Sequence, residues 1–214
     1  FAFQNKIVQI KKKFALLREL GYIKDRQLTD KGRFARNIQG YELQVTELYF
    51  RGLLENVSDE ELNVLTHAIV YESKKAEWYR PHHHGNFKAF RKNAYRAVEA
   101  ILQTEDKFDI EDRTKELDFK LASAVHAWSK GCEWRQLEAH TSASDGDLVR
   151  YFRLSIQLLR NTLYALDPRD ALREKLRRCA AKMNRDVVDA ERQLRMGTET
   201  APADPPPDDP ASAG

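Results

Sequence analysis

"GYIKDRQLTDKGRFARNI", residues 21–38, stops one helix and starts another with a short extended passage between them. Gly21 follows Leu20 and suits a helix C-cap, because glycine enters the left-handed region at little cost. Tyr22 and Ile23, a polar turn Lys24-Asp25-Arg26, and Gln27-Leu28-Thr29 then spell strand, turn, strand. Asp30 is placed to cap a basic helix from Lys31 to about Ile38. Upstream, Phe3, Ile7, Ile10, Phe14 and Leu17 recur at steps of four and three, one apolar face of a helix over residues 3–20. Lys11, Lys12 and Lys13 fall mostly on the other face. A short β excursion therefore interrupts a chain that otherwise reads as helix.

Outward from that stretch the helical pattern continues. Leu43, Leu48, Leu53 and Leu54 mark a helix over Glu42–Leu54. Ser58-Asp59-Glu60-Glu61 is a capping box that opens a helix through Leu62, Leu65, Ile69 and Val70. Pro81 and His82-His83-His84-Gly85 read as a loop within residues 73–86. Phe90, Ala94, Ala97, Val98 and Ile101 place one face of a helix from Phe87 to about Leu102, and residues 103–113 read as a charged connection or frayed end. Leu117–Trp128 forms a further helix ended by Gly131. A short helix from Glu133 to about His140, a polar turn over Thr141–Ser144, and a long helix Gly146–Leu166 capped by Ser144 or Asp145 make a helix-turn-helix-like layout. After Pro168 a last helix is expected to run to about Leu194. Five of the seven prolines lie beyond Gly197, so residues 196–214 read as a disordered Pro/Ala/Asp tail. The fold class is mainly α, a helical bundle with a short β wing.

The 214 residues suffice for one large or two small domains. The chain opens on Phe, which suggests a piece of a longer polypeptide. Net charge is +3, but the four acids of the tail face no Lys or Arg, which leaves +7 on residues 1–196. That balance is compatible with nucleic acid without demanding it. No apolar run is long enough for a membrane span, and no membrane partner is expected. Cys132 and Cys179 are far apart and read as free, buried thiols of a reducing compartment.

Catalytic and cofactor motifs are missing. The nine glycines are scattered, with no GxxxxGK[ST] phosphate loop, no GxSxG elbow and no HExxH. Three adjacent histidines rarely converge on one ion, so no metal is assigned to His82–His84. His67, His126 and His140 read as structural. No catalytic residue and no cofactor site is expected within this chain. The basic residues say more. Arg150, Arg153, Gln157 and either Arg160 or Asn161 recur at three- or four-residue spacing along the long helix, a polar stripe with Tyr151, Phe152, Leu158, Leu159 and Leu163 elsewhere around the axis. Guanidinium groups pair phosphates or stack on bases, and an amide can bond a base edge. An ordinary solvated face would produce the same spacing.

At this point the chain resembles a known family. Residues 16–72 are similar to the C-terminal (DSHCT) region of superkiller-type DExH-box RNA helicases. The resemblance rests on Leu17, Leu20, Gly21 and Tyr22, on Lys31, Gly32, Arg33 and Ala35, on Glu42, Leu43, Thr46, Glu47, Leu48, Phe50, Gly52 and Leu53, and on Ser58, Glu60 and Glu61. "AVHAWSKGCEWRQL" and "SDGDLVRYFR" carry it into the second half, so that it covers about residues 3–195. It implies that residues 1–40 end a winged-helix module and that residues 41–195 are a helical bundle. Residues 146–166 would be the "ratchet" helix that touches a threaded strand. ATP, magnesium and hydrolysis would belong to two RecA-like motor domains outside this chain, which alone would be no enzyme. Single-stranded RNA, or DNA, is the implied partner, with the motor domains of the same parent, in the cytoplasm. The candidate contacts are Arg150, Arg153, Gln157, Asn161 and Arg33. Eukaryotic members tend to carry a further basic residue and an acid where Leu154 and Gln157 stand, and a bacterial-type member is expected. Two other readings fit the residues: a free-standing winged-helix regulator that binds duplex DNA, and a helical adaptor that binds protein.

Overall fold

The computed structural model describes the backbone of residues 2–189 and the side chains of residues 5–189. The expected disordered tail and the far end of the last expected helix lie outside the described residues. The elements are α1 (Ala2–Glu19), β1 (Ile23–Lys24), β2 (Gln27–Leu28), α2 (Asp30–Arg36), α3 (Glu42–Phe50), α4 (Asp59–Val70), α5 (Phe87–Lys107), α6 (Ala122–Ser129), α7 (Asp145–Ala165) and α8 (Leu172–Met183). Short 3-10 turns occupy Trp134–Ala139 and Asp186–Val188.

The hairpin reading holds, with one shift. β1 and β2 pair antiparallel in the register Ile23 to Leu28 and Lys24 to Gln27. Lys24 is therefore in the strand, and the turn shrinks to Asp25-Arg26. Both take positive φ, 49° and 64°, the geometry that matches the twist of a two-residue hairpin. Gly21 sits at φ 78° beyond α1, as its capping role requires. Thr29, not Asp30, caps α2: its side chain accepts from the Gly32 amide, and Asp30 becomes the first helical residue. The hydroxyl of Thr29 also donates to the Gly21 carbonyl at 2.7 Å, which fastens the cap to the end of α1. The capping box at Ser58 and Glu61 is complete in both directions.

The core is one continuous cluster from Phe34 to Val188. α4 lies at its centre and packs against α6, α7 and α8, while α3 bridges α2 and α5. Trp128 and Phe152 are fully buried and stack at 5.9 Å with ring planes 25° apart. The Trp128 indole donates to the Met183 carbonyl at 3.0 Å, so its polar edge is satisfied. The Arg185 guanidinium covers the same ring at 3.3 Å and donates to the Trp128 and Cys132 carbonyls. Burying side chains of this size contributes about 2 kcal/mol each. Asn63, also buried, donates to Ser129 and to the Cys179 carbonyl, joining α4 to α6 and α8.

Several boundaries move for stated reasons. α5 runs on to Lys107, because Thr104 and Glu105 are buried and Glu105 accepts from the Thr114 amide and hydroxyl; the charged stretch is anchored instead of frayed. α6 begins only at Ala122, since Asp118 turns its carboxylate onto the amides of Ser73 and Lys120 and holds residues 117–121 out of the helix. The short helix after Gly131 is 3-10 in form. α8 ends at Met183, where Asn184 leaves the helical region at ψ 74°. The apolar face expected on α1 is not the buried one. Ile7, Ile10 and Phe14 are 39–55% exposed, and Leu16 is the residue that enters the core. Both cysteines are free thiols, Cys179 buried and Cys132 half-buried.

Candidate nucleic-acid interface

α7 is built to hold one face inward. Ser144 caps it by accepting from the Asp147 amide, and Asp145 and Asp147 lie in the first turn, where the helix dipole favours acids. Leu148, Phe152, Ser155, Ile156, Leu158, Leu159 and Thr162 are buried. Two of these are polar and both bond back along the helix: Ser155 donates to the Tyr151 carbonyl and Thr162 to the Leu158 carbonyl. Ser155 therefore accepts from His67 Nδ1 at 3.0 Å, which fixes the tautomer of that fully buried imidazole. Burial above all drives His67 down to a pKa of about 3, so it is a neutral part of the core, as the sequence reading held.

The outward face carries Arg150, Gln157, Arg160 and Tyr164, all exposed. Arg150, Gln157 and Tyr164 are seven residues apart, two helical turns each, and so stand in one row about 21 Å long. Gln157 makes no side-chain hydrogen bond to a described residue, and the Arg150 guanidinium forms no ion pair with one and stands 5.3 Å from the neighbouring Tyr151 ring. Tyr164 is 78% exposed, the most open large ring among the described residues.

The five predicted contacts separate into three places. Arg150 and Gln157 stand open on the row. Arg153 is half-buried and turns aside: its guanidinium donates to the Val187 and Val188 carbonyls at 3.2 and 2.9 Å, which stitches the segment after α8 onto α7. Asn161 is also half-buried and donates to the Gln39 carbonyl at 3.3 Å, tying α7 to the link between α2 and α3. Arg33 lies away on α2, where it donates to the Leu28 carbonyl and pairs with Asp30. Sequence reasoning missed Tyr164. Its position seven residues beyond Gln157 was the available signal.

The junction that carries most of the family motif is a different kind of site. Glu47, 3% exposed, accepts from the Tyr22 hydroxyl at 3.0 Å, pairs with Lys31 at 2.5 Å and lies 3.6 Å from Arg51. The Lys31 ammonium also stands 4.7 Å over the Tyr22 ring. Burial first, then the adjacent Glu47 charge, pushes the Tyr22 phenol well above its ordinary range, so it stays a donor. Gly32 is required where it is: a Cβ there would lie 2.2 Å from the Tyr22 carbonyl oxygen. Among the described residues no group of His, Cys, Asp and Glu is placed to hold a metal ion, and no helix is long and apolar enough to cross a membrane.

A mainly helical bundle with a two-stranded hairpin clamped to it, and a polar row along one long helix, defines the class. The chain belongs to the DSHCT (NUC185) domain family, whose model matches residues 25–191. It is similar to the DExH-box ATP-dependent RNA helicase DExH9 of Arabidopsis thaliana, 27% identical over 186 residues, covering 84% of this chain and 19% of the relative. Exosome RNA helicase MTR4 of Homo sapiens is 27% identical over 188 residues, covering 84% of this chain and 18% of the relative. Antiviral helicase SKI2 of Saccharomyces cerevisiae is 25% identical over 187 residues, covering 83% and 14%. The chain spans less than a fifth of the length of these curated relatives.

Proposed function

We propose that this chain is the C-terminal accessory module of an ATP-dependent RNA helicase, and that α7 guides a single strand moved by motor domains outside the chain. The observation that carries the reading is the open row Arg150, Gln157, Tyr164 on a helix whose other face is locked into the core. Arg150 supplies charge to a phosphate, Gln157 an amide to a base edge, and Tyr164 a ring on which a base stacks. Arg153 and Asn161 keep α7 in place from either side. The hairpin and its flanking helices act as the end of a winged-helix module, and Arg33 sits too far into its own hydrogen bonds to lead the contact. Family membership and the RNA helicase names of the relatives support the same reading.

Arg150→Glu should weaken binding of a fluorescein-labelled oligouridine about tenfold and flatten its salt dependence, because one phosphate contact is lost and a like charge is added. Arg150 is exposed and makes no ion pair among the described residues, so the melting temperature should not move. Unchanged RNA affinity would overturn the role given to α7, and preferential binding of duplex DNA would favour a regulator instead.

A further inference from the structure

A cleft of about 1070 Å³ lies between the first half of α5, the 72–85 loop and residues 115–120. Arg80, Lys88, Arg91, Lys115 and Lys120 line it, against Glu72, Glu116 and Asp118. The Asp118 carboxylate is already engaged, since it accepts from the Ser73 and Lys120 amides and ties the two walls together. None of the five cations forms an ion pair with a described residue. Basic residues elsewhere do: Lys12 meets Asp109 at 2.6 Å, Lys107 meets Glu19 at 2.6 Å and Lys182 meets Glu60 at 2.7 Å. Lys115 is the most exacting case. Burial pushes its ammonium below the usual lysine range, and its one hydrogen bond goes to the Glu116 carbonyl.

Aromatic rings are interleaved with the charge. Lys120 stands 5.8 Å from the Tyr79 ring, and Arg91 stands 5.8 Å from the Phe87 ring. Tyr95 is 40% exposed and braced edge-on by Phe119 at 5.3 Å, which holds a half-open ring on the cleft wall. Glu72, in the cleft lining, and Arg150 both act electrostatically on the Tyr41 hydroxyl.

We propose that this cleft is a second contact for single-stranded RNA, with Arg80, Lys88, Arg91 and Lys120 taking phosphates and Tyr95 stacking a base. Single-strand grooves combine cations that track the backbone with rings that stack bases, and both are present here. An acidic peptide would satisfy the cations but would give the open Tyr95 ring no planar partner. The inference rests on the reading of this chain as an RNA-handling module, but it concerns a surface separate from the α7 row.

The test compares three variants of the whole chain by anisotropy with the labelled oligouridine, between about 50 and 200 mM salt. The double substitution Lys88→Glu and Arg91→Glu should lower affinity about tenfold or more and reduce the salt slope by about 1.4, the share of two phosphates on a single strand. Tyr95→Ala should lower affinity about fivefold or more and leave the slope alone. All three side chains are exposed, and circular dichroism should report unchanged folding. If both cleft variants bind like the parent while Arg150→Glu is impaired, the cleft inference fails and the α7 reading stands. If Arg150→Glu is silent and the cleft variants are impaired, the cleft is the principal contact. If every variant binds like the parent, both fall. Competition by polyglutamate as effective, charge for charge, as by oligouridine would assign the cleft to acidic peptides and overturn the proposal.

Discussion

The Glu47 junction and the α7 row use polar residues for opposite ends. At the junction every polar group is spent: one buried carboxylate takes a phenol and an ammonium, with a guanidinium nearby. On the row, Arg150 and Gln157 are held ready and bonded to nothing among the described residues but the Tyr151 ring. The residues that make the family recognisable crowd the first region, whereas the residues proposed to meet RNA stand in the second. A strong sequence motif therefore marks how the hairpin is fastened, and it does not by itself mark where a ligand goes.

That contrast can be broken most severely at Glu47. Glu47→Ala leaves Lys31 and Tyr22 facing an empty, largely buried position and should cost about 3 kcal/mol, read as a fall in the urea midpoint. Lys31 keeps some water contact, which holds the loss to the lower end of the range for broken buried pairs. A change within error would mean that the clamp is not the fastening. Gly32→Ala comes next. The added methyl meets the Tyr22 carbonyl oxygen at 2.2 Å, a backbone atom that cannot swing aside, so the hairpin must shift at a cost of about 2 kcal/mol. Full stability in that variant would show that the contact is slack.

The smallest of the three effects is set by pH and belongs to two histidines, His67 on α4 and His82 in the loop before α5. His67 is held down to about 3 by burial, and His82 is lowered to about 4, first by burial and then by the neighbouring imidazoles. Both values lie below that of an unfolded histidine, so the unfolded chain gains protons first on acidification. Their contribution is present above about pH 6.5 and is lost as pH falls towards the folded values. His67 alone should reduce stability by about 1.4 kcal/mol per pH unit below that point. His67→Leu should flatten the slope of urea midpoint against pH between 6.5 and 5. An equally steep slope in the variant would assign the dependence elsewhere.

Local chemistry was legible where it is self-contained. The Ser58 capping box, the Gly21 cap, the hairpin and the inner face of α5 follow from neighbours a few residues apart, and all stand in the structure. Fates decided by distant partners were not. Arg153 and Arg150 look alike on a helical wheel, but only the fold brings the Val187 and Val188 carbonyls to one of them. The α1 stripe fails for a similar reason: periodicity gives an apolar face, and tertiary packing decides that Leu16 and not Phe14 is covered. The cleft beside α5 was invisible, because its cations come from three separate segments. Two histidines of the loop also find company that spacing hides, since His82 and His84 stand 4.7 and 4.9 Å from the His126 ring on α6.

The shared carboxylate at Glu47 also has a mechanical meaning. Residues 37–41 between α2 and α3 look like a hinge, with Gly40 and Tyr41 both at positive φ. Lys31 and Tyr22 grip α3 from the hairpin side of that hinge, and Asn161 holds Gln39 from α7. A torque on the hairpin is then delivered straight into the bundle instead of being absorbed by bending, and the two parts turn as a single lever.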